Sequence, residues 1–164
     1  MNYLAIDEFD VANGPGVRVT LWLPGCSHHC SGCQNPETWD INAGQVFNDE
    51  QKNNIIELLK NPYIKGLTLS GGDPLTYHGN REFLDFLKLI KETFKDKTIW
   101  CYTGWTWEQL SPNLEMLQYI DVLVDGRFEI DKRDITLKFR GSSNQRLINV
   151  PLSLARGEVI LWEE

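Results

Sequence analysis

The segment "VRVTLWLPGCSHHCSGCQN", residues 17–35, runs an alternating, β-branched stretch directly into a loop that holds three of the chain's four cysteines. "VRVTLWLP" (17–24) has the residue types and the alternation of a strand. Cys26, Cys30 and Cys33 follow it in a CxxxCxxC spacing. A chemically loaded loop at the carboxyl end of a strand is how α/β folds build their sites. The fold therefore turns on whether further strand–loop–helix units follow.

They do. "NDEQKNNIIELLKN" (48–61) opens on Asn48 as an N-cap, carries acids in its first turn and sets Ile55, Ile56, Leu58 and Leu59 on one side, which predicts a helix. "YIKGLTLS" (63–70) predicts a second strand ending at "GGDP" (71–74). "NREFLDFLKLIKETFK" (80–95) repeats Phe83, Leu84, Phe86, Leu87, Ile90 and Phe94 at helical spacing. "KTIWCYTG" (97–104) is strand-like, "TWEQLSPNLEMLQYI" (106–120) mostly helical with an interruption at Pro112, and "DVLVDG" (121–126) a short buried strand. Residues before 17, including "NGPG" (13–16), read as a loop.

Alternating strands and helices imply parallel pairing through crossovers. The expectation is a single α/β domain over residues 1–164 with a mostly parallel sheet. Its four or five units fall short of a closed barrel of roughly 250 residues, so a partial (open) barrel or an open sheet remains. The cysteine loop, "GGDP", "TG" and "DG" all follow strands and should meet on one rim. Residues 146–164, "RLINVPLSLARGEVILWEE", read as a C-terminal extension whose two apolar runs around "ARGE" suggest a hairpin.

With 41% hydrophobic and 24% charged residues, the chain has the make-up of a folded globular protein. A net charge of −7 without any Lys/Arg-rich run speaks against nucleic acid as a partner. No apolar run approaches the roughly 20 residues of a membrane span, and "MNYLAIDEFD" is acidic where a signal peptide is basic. The reading is cytoplasmic and not membrane-bound. In a reducing compartment clustered cysteines serve as ligands or redox groups rather than disulfides.

Structural zinc sites close a tetrahedron with two CxxC-type pairs, or with a Cys pair and a His pair. One CxxxCxxC run is a ligand short, and only His28, His29 or Cys101 could complete it. The histidines lack finger spacing and read as solvated loop residues or as donors behind the ligands; Cys101 reads as a small buried hydrophobe. A four-iron cluster on three cysteines, by contrast, leaves one iron free for a substrate or cofactor. Gly25, Ser31 and Gly32 suit a loop that wraps such a cluster closely.

"NGPG" with Arg18, "GCSHHCSGCQN", "LSGGDPL", "WCYTGW", "VLVDGRF" and "FRGSSNQ" together span residues 13–145. With these blocks the chain resembles the anaerobic (class III) ribonucleotide reductase activating proteins, glycyl-radical activases of the radical S-adenosylmethionine superfamily. CxxxCxxC alone points only to the superfamily; "VLVDGRF" and "FRGSSNQ" narrow it to the family. The resemblance implies a partial β/α barrel of the radical S-adenosylmethionine type and one [4Fe-4S] cluster on Cys26, Cys30 and Cys33. It also implies S-adenosyl-L-methionine on the open iron. The implied activity is that of an oxidoreductase that cleaves this cofactor reductively and generates a glycyl radical on the large subunit of the reductase. A reducing electron donor is the other partner, and a homodimer is left open.

Carried over residue by residue, Cys33 with Gly32 and Gln34 falls beside the adenine, Gly32 standing where most such enzymes have an aromatic. Gly71, Gly72 and Asp73 fall at the methionine ammonium, where the superfamily often has Glu in place of Asp73; a plain strand-end turn is the alternative for "GGDP". Thr103 is either a cofactor contact or a helix cap. Asp125 and Arg127 either address the ribose and carboxylate or form an ordinary surface salt bridge. Arg140, Ser142 and Asn144 either face the reductase or make a polar turn. No side chain beyond the cluster ligands is assigned a chemical step. The rival readings are an activase of another glycyl-radical enzyme such as pyruvate formate-lyase, a non-catalytic zinc-binding module, and a simple electron-transfer protein.

Overall fold

The structure is a computed structural model describing residues 1–164. In chain order it contains β1 (Asn2–Tyr3), β2 (Ala5–Asp10), β3 (Val17–Leu23), β4 (Gln45–Val46), α1 (Asp49–Leu59), β5 (Ile64–Gly71), α2 (Arg81–Thr93), β6 (Thr98–Tyr102), β7 (Val122–Asp125), β8 (Arg146–Asn149) and α3 (Val150–Arg156). β1 and β4 form a small two-stranded sheet; the main sheet has the order β2-β3-β5-β6-β7-β8. Its four inner strands run parallel, and β2 and β8 close the edges antiparallel. No helix is long and apolar enough to cross a membrane.

The helices begin where the sequence places their caps. Asn48 accepts from the Glu50 amide at 3.0 Å, while Gln51 reaches back to the Asn48 amide at 3.1 Å, so a capping box fixes the start of α1. Asn80 does the same for α2 through the Phe83 amide at 3.0 Å. α1 buries Ile55 and Leu59, and α2 buries Phe83, Leu84, Phe86, Leu87 and Ile90. These side chains join Val19, Leu21, Leu23, Leu67, Leu69, Ile99, Cys101 and Leu123 in one core.

Side chains alternate across a strand, so the residues between those core positions must face the other way. That second face carries Arg18, Thr20, Thr68 and Trp100, all buried. Arg18 is fully enclosed: its guanidinium donates to Thr68 Oγ1 at 2.9 Å, Thr98 Oγ1 at 3.1 Å, the Leu67 carbonyl at 3.1 Å and the Thr98 carbonyl at 2.9 Å. It also lies 5.6 Å from the centre of a Trp100 ring. Burial pulls its pKa down to about 10. One side chain thus ties β3, β5 and β6 together from the face opposite the helices.

Three expectations need correction. The segment before residue 17 is not all loop: β2 pairs with β3 from Ala5↔Trp22 to Asp10↔Arg18. Its side chains are mostly exposed, so it lacks the hydrophobic alternation that marks a half-buried strand. Residues 106–120 form no α-helix but two 3₁₀ turns, Trp107–Gln109 and Glu115–Tyr119, separated by Ser111 and Pro112. Residues 146–164 are not a hairpin. β8 pairs with β7, α3 follows under an Asn149 cap with Pro151 in its first turn and Gly157 closing it, and Leu161 returns to bridge Ile148.

Candidate functional site: a cysteine-lined cleft

The parallel register brings the carboxyl ends of the inner strands together: Leu23 pairs with Gly71, Leu69 with Cys101, and Tyr102 with Val124. Above these ends opens a cleft of about 470 Å³, within the usual range for small-molecule sites. Cys26, Cys30, Cys33 and Gln34 line one wall, and Ser70, Gly71, Gly72, Thr103, Gly104 and Gly126 line the strand ends. Trp22 and Tyr102 point into the cleft from the inner face of the sheet; Phe128, Arg133, Phe139 and Arg140 close it from the segment after β7.

The cysteine loop is held at both ends. The Gly25 amide donates to the Thr38 carbonyl at 2.7 Å and the Cys26 amide to the Trp39 carbonyl at 3.2 Å. Across the cleft floor, the Gly72 amide donates to the Leu23 carbonyl and the Asp73 amide to the Gly25 carbonyl, both at 2.7 Å. Gly72 has no room for a side chain: a Cβ there would sit 2.4 Å from the Gly25 carbonyl oxygen. Gly25 and Gly32 have φ of +104° and +75°, so the turns of the loop rest on a region open to glycine and costly for other residues. His29 also adopts positive φ, with its ring stacked on Trp39 at 4.3 Å.

All four cysteines are free thiols, and the three of the loop are partly exposed. The Asn35 amide points at Cys33 Sγ from 3.4 Å. Burial pushes the Cys26 thiol above its ordinary pKa, while the amides of His28 and His29 turn toward the sulfur and pull the other way. Amide donors aimed at sulfur are the surroundings that iron–sulfur thiolates use. No three His, Cys, Asp or Glu side chains gather around a single-ion position. The donor set is soft, comes from one loop and opens on a cleft, which fits an iron–sulfur cluster. Cys101 stays out of it: fully buried, it packs in the core on the helix side of the sheet, away from the cleft.

Several of the sequence-read residues sit differently from expectation. His28 is not solvated; it is buried, with Nε2 2.6 Å from Asp73 Oδ2. Asp73 is itself 2% exposed and does not line the cleft. Thr103 caps no helix and donates to Asp73 at 2.9 Å. Gly32 is covered by Ile130, whose Cδ1 lies 2.9 Å from where a Cβ would be. Asp125 and Arg127 do not pair. Asp125 is buried and its oxygens are taken by Arg146, at 2.5 Å and 3.1 Å, and by the Trp107 amide at 2.9 Å. Both residues line a separate polar groove that includes Glu108 and Arg146. Ser142, read as partner-facing, is fully buried and bonds to Glu129 and Gln145, because "GSSNQ" folds inward around the Gln145 side chain. Asn144 turns its amide onto the Arg127 carbonyl at 2.7 Å, and Arg140 bonds the Gln145 carbonyl and faces the cleft.

Trp22, Phe128, Arg133 and Phe139 were not singled out from sequence. For Trp22 a signal existed: it shares a strand face with Arg18 and Thr20, opposite Val19, Leu21 and Leu23. The other three lie in an irregular segment with no periodicity to read.

An α/β sheet with a cysteine-lined cleft at its strand ends defines a class, and the 4Fe-4S single cluster domain family matches residues 12–148. Full-length relatives narrow it further. The chain is 45% identical over 148 residues to the anaerobic ribonucleoside-triphosphate reductase-activating protein of Haemophilus influenzae, covering 88% of this chain and 96% of that one. It is 43% identical over 147 residues to the protein of the same name from Enterobacteria phage T4, covering 90% and 93%, and 41% identical over 148 residues to that of Escherichia coli K12, covering 88% and 96%. The chain belongs to the family of anaerobic ribonucleoside-triphosphate reductase-activating proteins.

Proposed function

We propose that this chain activates an anaerobic ribonucleoside-triphosphate reductase, holding one [4Fe-4S] cluster on Cys26, Cys30 and Cys33 and taking S-adenosyl-L-methionine into the adjoining cleft. The observation that carries the reading is the shared cleft: three free thiols on one wall, glycine-rich strand ends on the other, and a relative's size and name to match. On this reading the six-stranded sheet is the open, partial β/α barrel of the radical S-adenosylmethionine type. When bound, the cluster, reduced by an external one-electron donor, and the cofactor would together supply the hydrogen-atom abstraction directed at a glycine of the reductase.

The chain's own residues bind, orient and exclude. Gly72 brings backbone close to the cluster loop, and Gly71 close to the end of β3, because no Cβ intervenes. Gln34 and the Gly32–Cys33 backbone lie beside the third thiol, where the adenine is expected. Phe128 and Phe139 add apolar surface to the cleft lining, which helps to keep water and stray hydrogen donors from a reactive species. Arg133 and Arg140 in the same lining offer cations to a carboxylate or to the partner's surface.

The test is anaerobic reconstitution with iron and sulfide, reduction, and addition of S-adenosyl-L-methionine. The reading expects about four irons per chain and 5′-deoxyadenosine as product. A colourless protein with one zinc and no deoxyadenosine would overturn it.

A further inference from the structure

Three loops meet at one carboxylate. Asp73, just beyond β5, accepts at Oδ1 from the Leu75 amide at 3.0 Å. At Oδ2 it meets His28 Nε2 at 2.6 Å, Thr103 Oγ1 at 2.9 Å and the Gly104 amide at 3.0 Å. Three donors crowd Oδ2 and one meets Oδ1, and the group is 2% exposed and does not line the cleft. Its position, enclosed among these loops, turns it away from the space a ligand's ammonium would occupy.

His28 is the only one of the four donors from the cysteine loop, and the fold makes room for it. Its ring lies on Gly104, where a Cβ would fall 2.4 Å from Cδ2 and 2.7 Å from Nε2. The indole of Trp105 covers it edge-on with centroids 4.8 Å apart. Since a carboxylate only accepts, Nε2 is the donor of the pair. Nδ1 is buried with no partner. An apolar side chain of similar volume would pack here without stranding a polar atom, so packing alone does not account for the ring.

We propose that His28 is a positioning residue of the cluster site: through Asp73 it clasps the Cys26–Cys30 span to the ends of β5 and β6, and Asp73 serves this clasp rather than the amino group of the cofactor. The inference rests on the reading that the cluster sits on Cys26, Cys30 and Cys33. Partners behind metal ligands typically change metal retention by about 10–100-fold when lost.

The experiment compares anaerobically reconstituted wild type with His28→Leu, His28→Gln, His28→Asn, Gly104→Ala and Asp73→Asn. It measures the rate of iron loss to a chelator, the resonance spectrum of the reduced cluster, and the affinity of the loaded fraction for S-adenosyl-L-methionine. Gln can place an amide nitrogen near the Nε2 position, whereas Leu cannot donate and Asn is too short. The clasp therefore predicts iron loss about 10–100-fold faster for Leu, Asn, Gly104→Ala and Asp73→Asn, near wild-type retention and spectrum for Gln, and, for Asp73→Asn, whose side chain lies outside the cleft, unchanged cofactor affinity per loaded chain. If the Leu variant does not fold, the Gln–Asn comparison decides. Wild-type iron retention in His28→Asn or Asp73→Asn, or a tenfold weaker cofactor affinity of Asp73→Asn with retention intact, would overturn the proposal. Failure of the wild type to hold any cluster would instead overturn the proposed function.

Discussion

Gly72→Ala isolates the contact on which the floor of the cleft depends. The backbone of Gly72 is not in the positive-φ region, so alanine meets no conformational penalty there and the effect comes from the added methyl alone. That methyl would sit 2.4 Å from the Gly25 carbonyl oxygen, 2.8 Å from its carbon and 2.9 Å from the Thr38 carbonyl oxygen. These are backbone atoms, which cannot swing aside as a side-chain end does. Real Cβ contacts essentially never fall below 3.0 Å, so the cysteine loop must retreat by about 0.6 Å. The bonds from the Asp73 amide to Gly25 and from the Gly25 amide to Thr38, both 2.7 Å, lie in its path.

Overpacking costs about 1–3 kcal/mol and the two weakened hydrogen bonds about 1 kcal/mol between them, a loss of about 2–4 kcal/mol. For a chain of this length that corresponds to a fall in Tm of roughly 4–16 °C. Gly79→Ala is the matched control: nothing lies within 4 Å of its Cβ position and its φ is ordinary, so its effect should stay within about 1 kcal/mol and favour the folded state. The assay is thermal unfolding of the cluster-free proteins, followed by iron content after anaerobic reconstitution. Equal melting temperatures for the two variants, with equal iron, would refute the reasoning.

Other substitutions probe the remaining structure. Arg18→Met leaves Thr68, Thr98 and the Leu67 carbonyl without their donor, and should lower the unfolding free energy by about 3–5 kcal/mol in a urea titration with little change in slope. Asp125→Asn removes the buried charge beneath Arg146, which keeps Glu108 as a partner at 2.7 Å; a loss of about 2–3 kcal/mol is expected by the same titration, with cofactor affinity unchanged. Cys30→Ala should abolish iron binding and deoxyadenosine formation together, whereas Cys101→Ala, in the core on the helix side, should spare both at a modest cost in Tm.

The parts of the fold legible in the sequence are those with strong periodicity or a cap. α1 and α2 announce themselves through Asn48 and Asn80 and through apolar residues three and four apart; β3, β5, β6 and β7 do so through β-branched, mostly buried runs. β2 escaped notice because an edge strand with exposed side chains has no apolar face to read. Residues 106–120 read as mostly helical around Pro112, but Ser111 and Pro112 break the run and leave only short 3₁₀ turns on either side. In 146–164 the signs of a helix were present in Asn149, Pro151 and Gly157, but two flanking apolar runs outweighed them.

At the site, adjacency along the chain was readable and orientation was not. The cysteines and the glycine pair follow their strands, so their convergence on one rim follows from parallel topology. Where Asp73 and Asp125 point depends on partners 45 and 21 positions away, His28 and Arg146, which no local spacing reveals. His28 looked like a loop residue because nothing nearby in sequence marks Gly104 as the surface that accepts its ring.

The most direct test of the account mixes the reconstituted, reduced protein and S-adenosyl-L-methionine with an anaerobic ribonucleoside-triphosphate reductase, and records the electron paramagnetic resonance spectrum. The account predicts a glycyl radical on the reductase that requires both the cofactor and intact Cys26, Cys30 and Cys33. A radical on pyruvate formate-lyase under the same conditions, with none on the reductase, would contradict it.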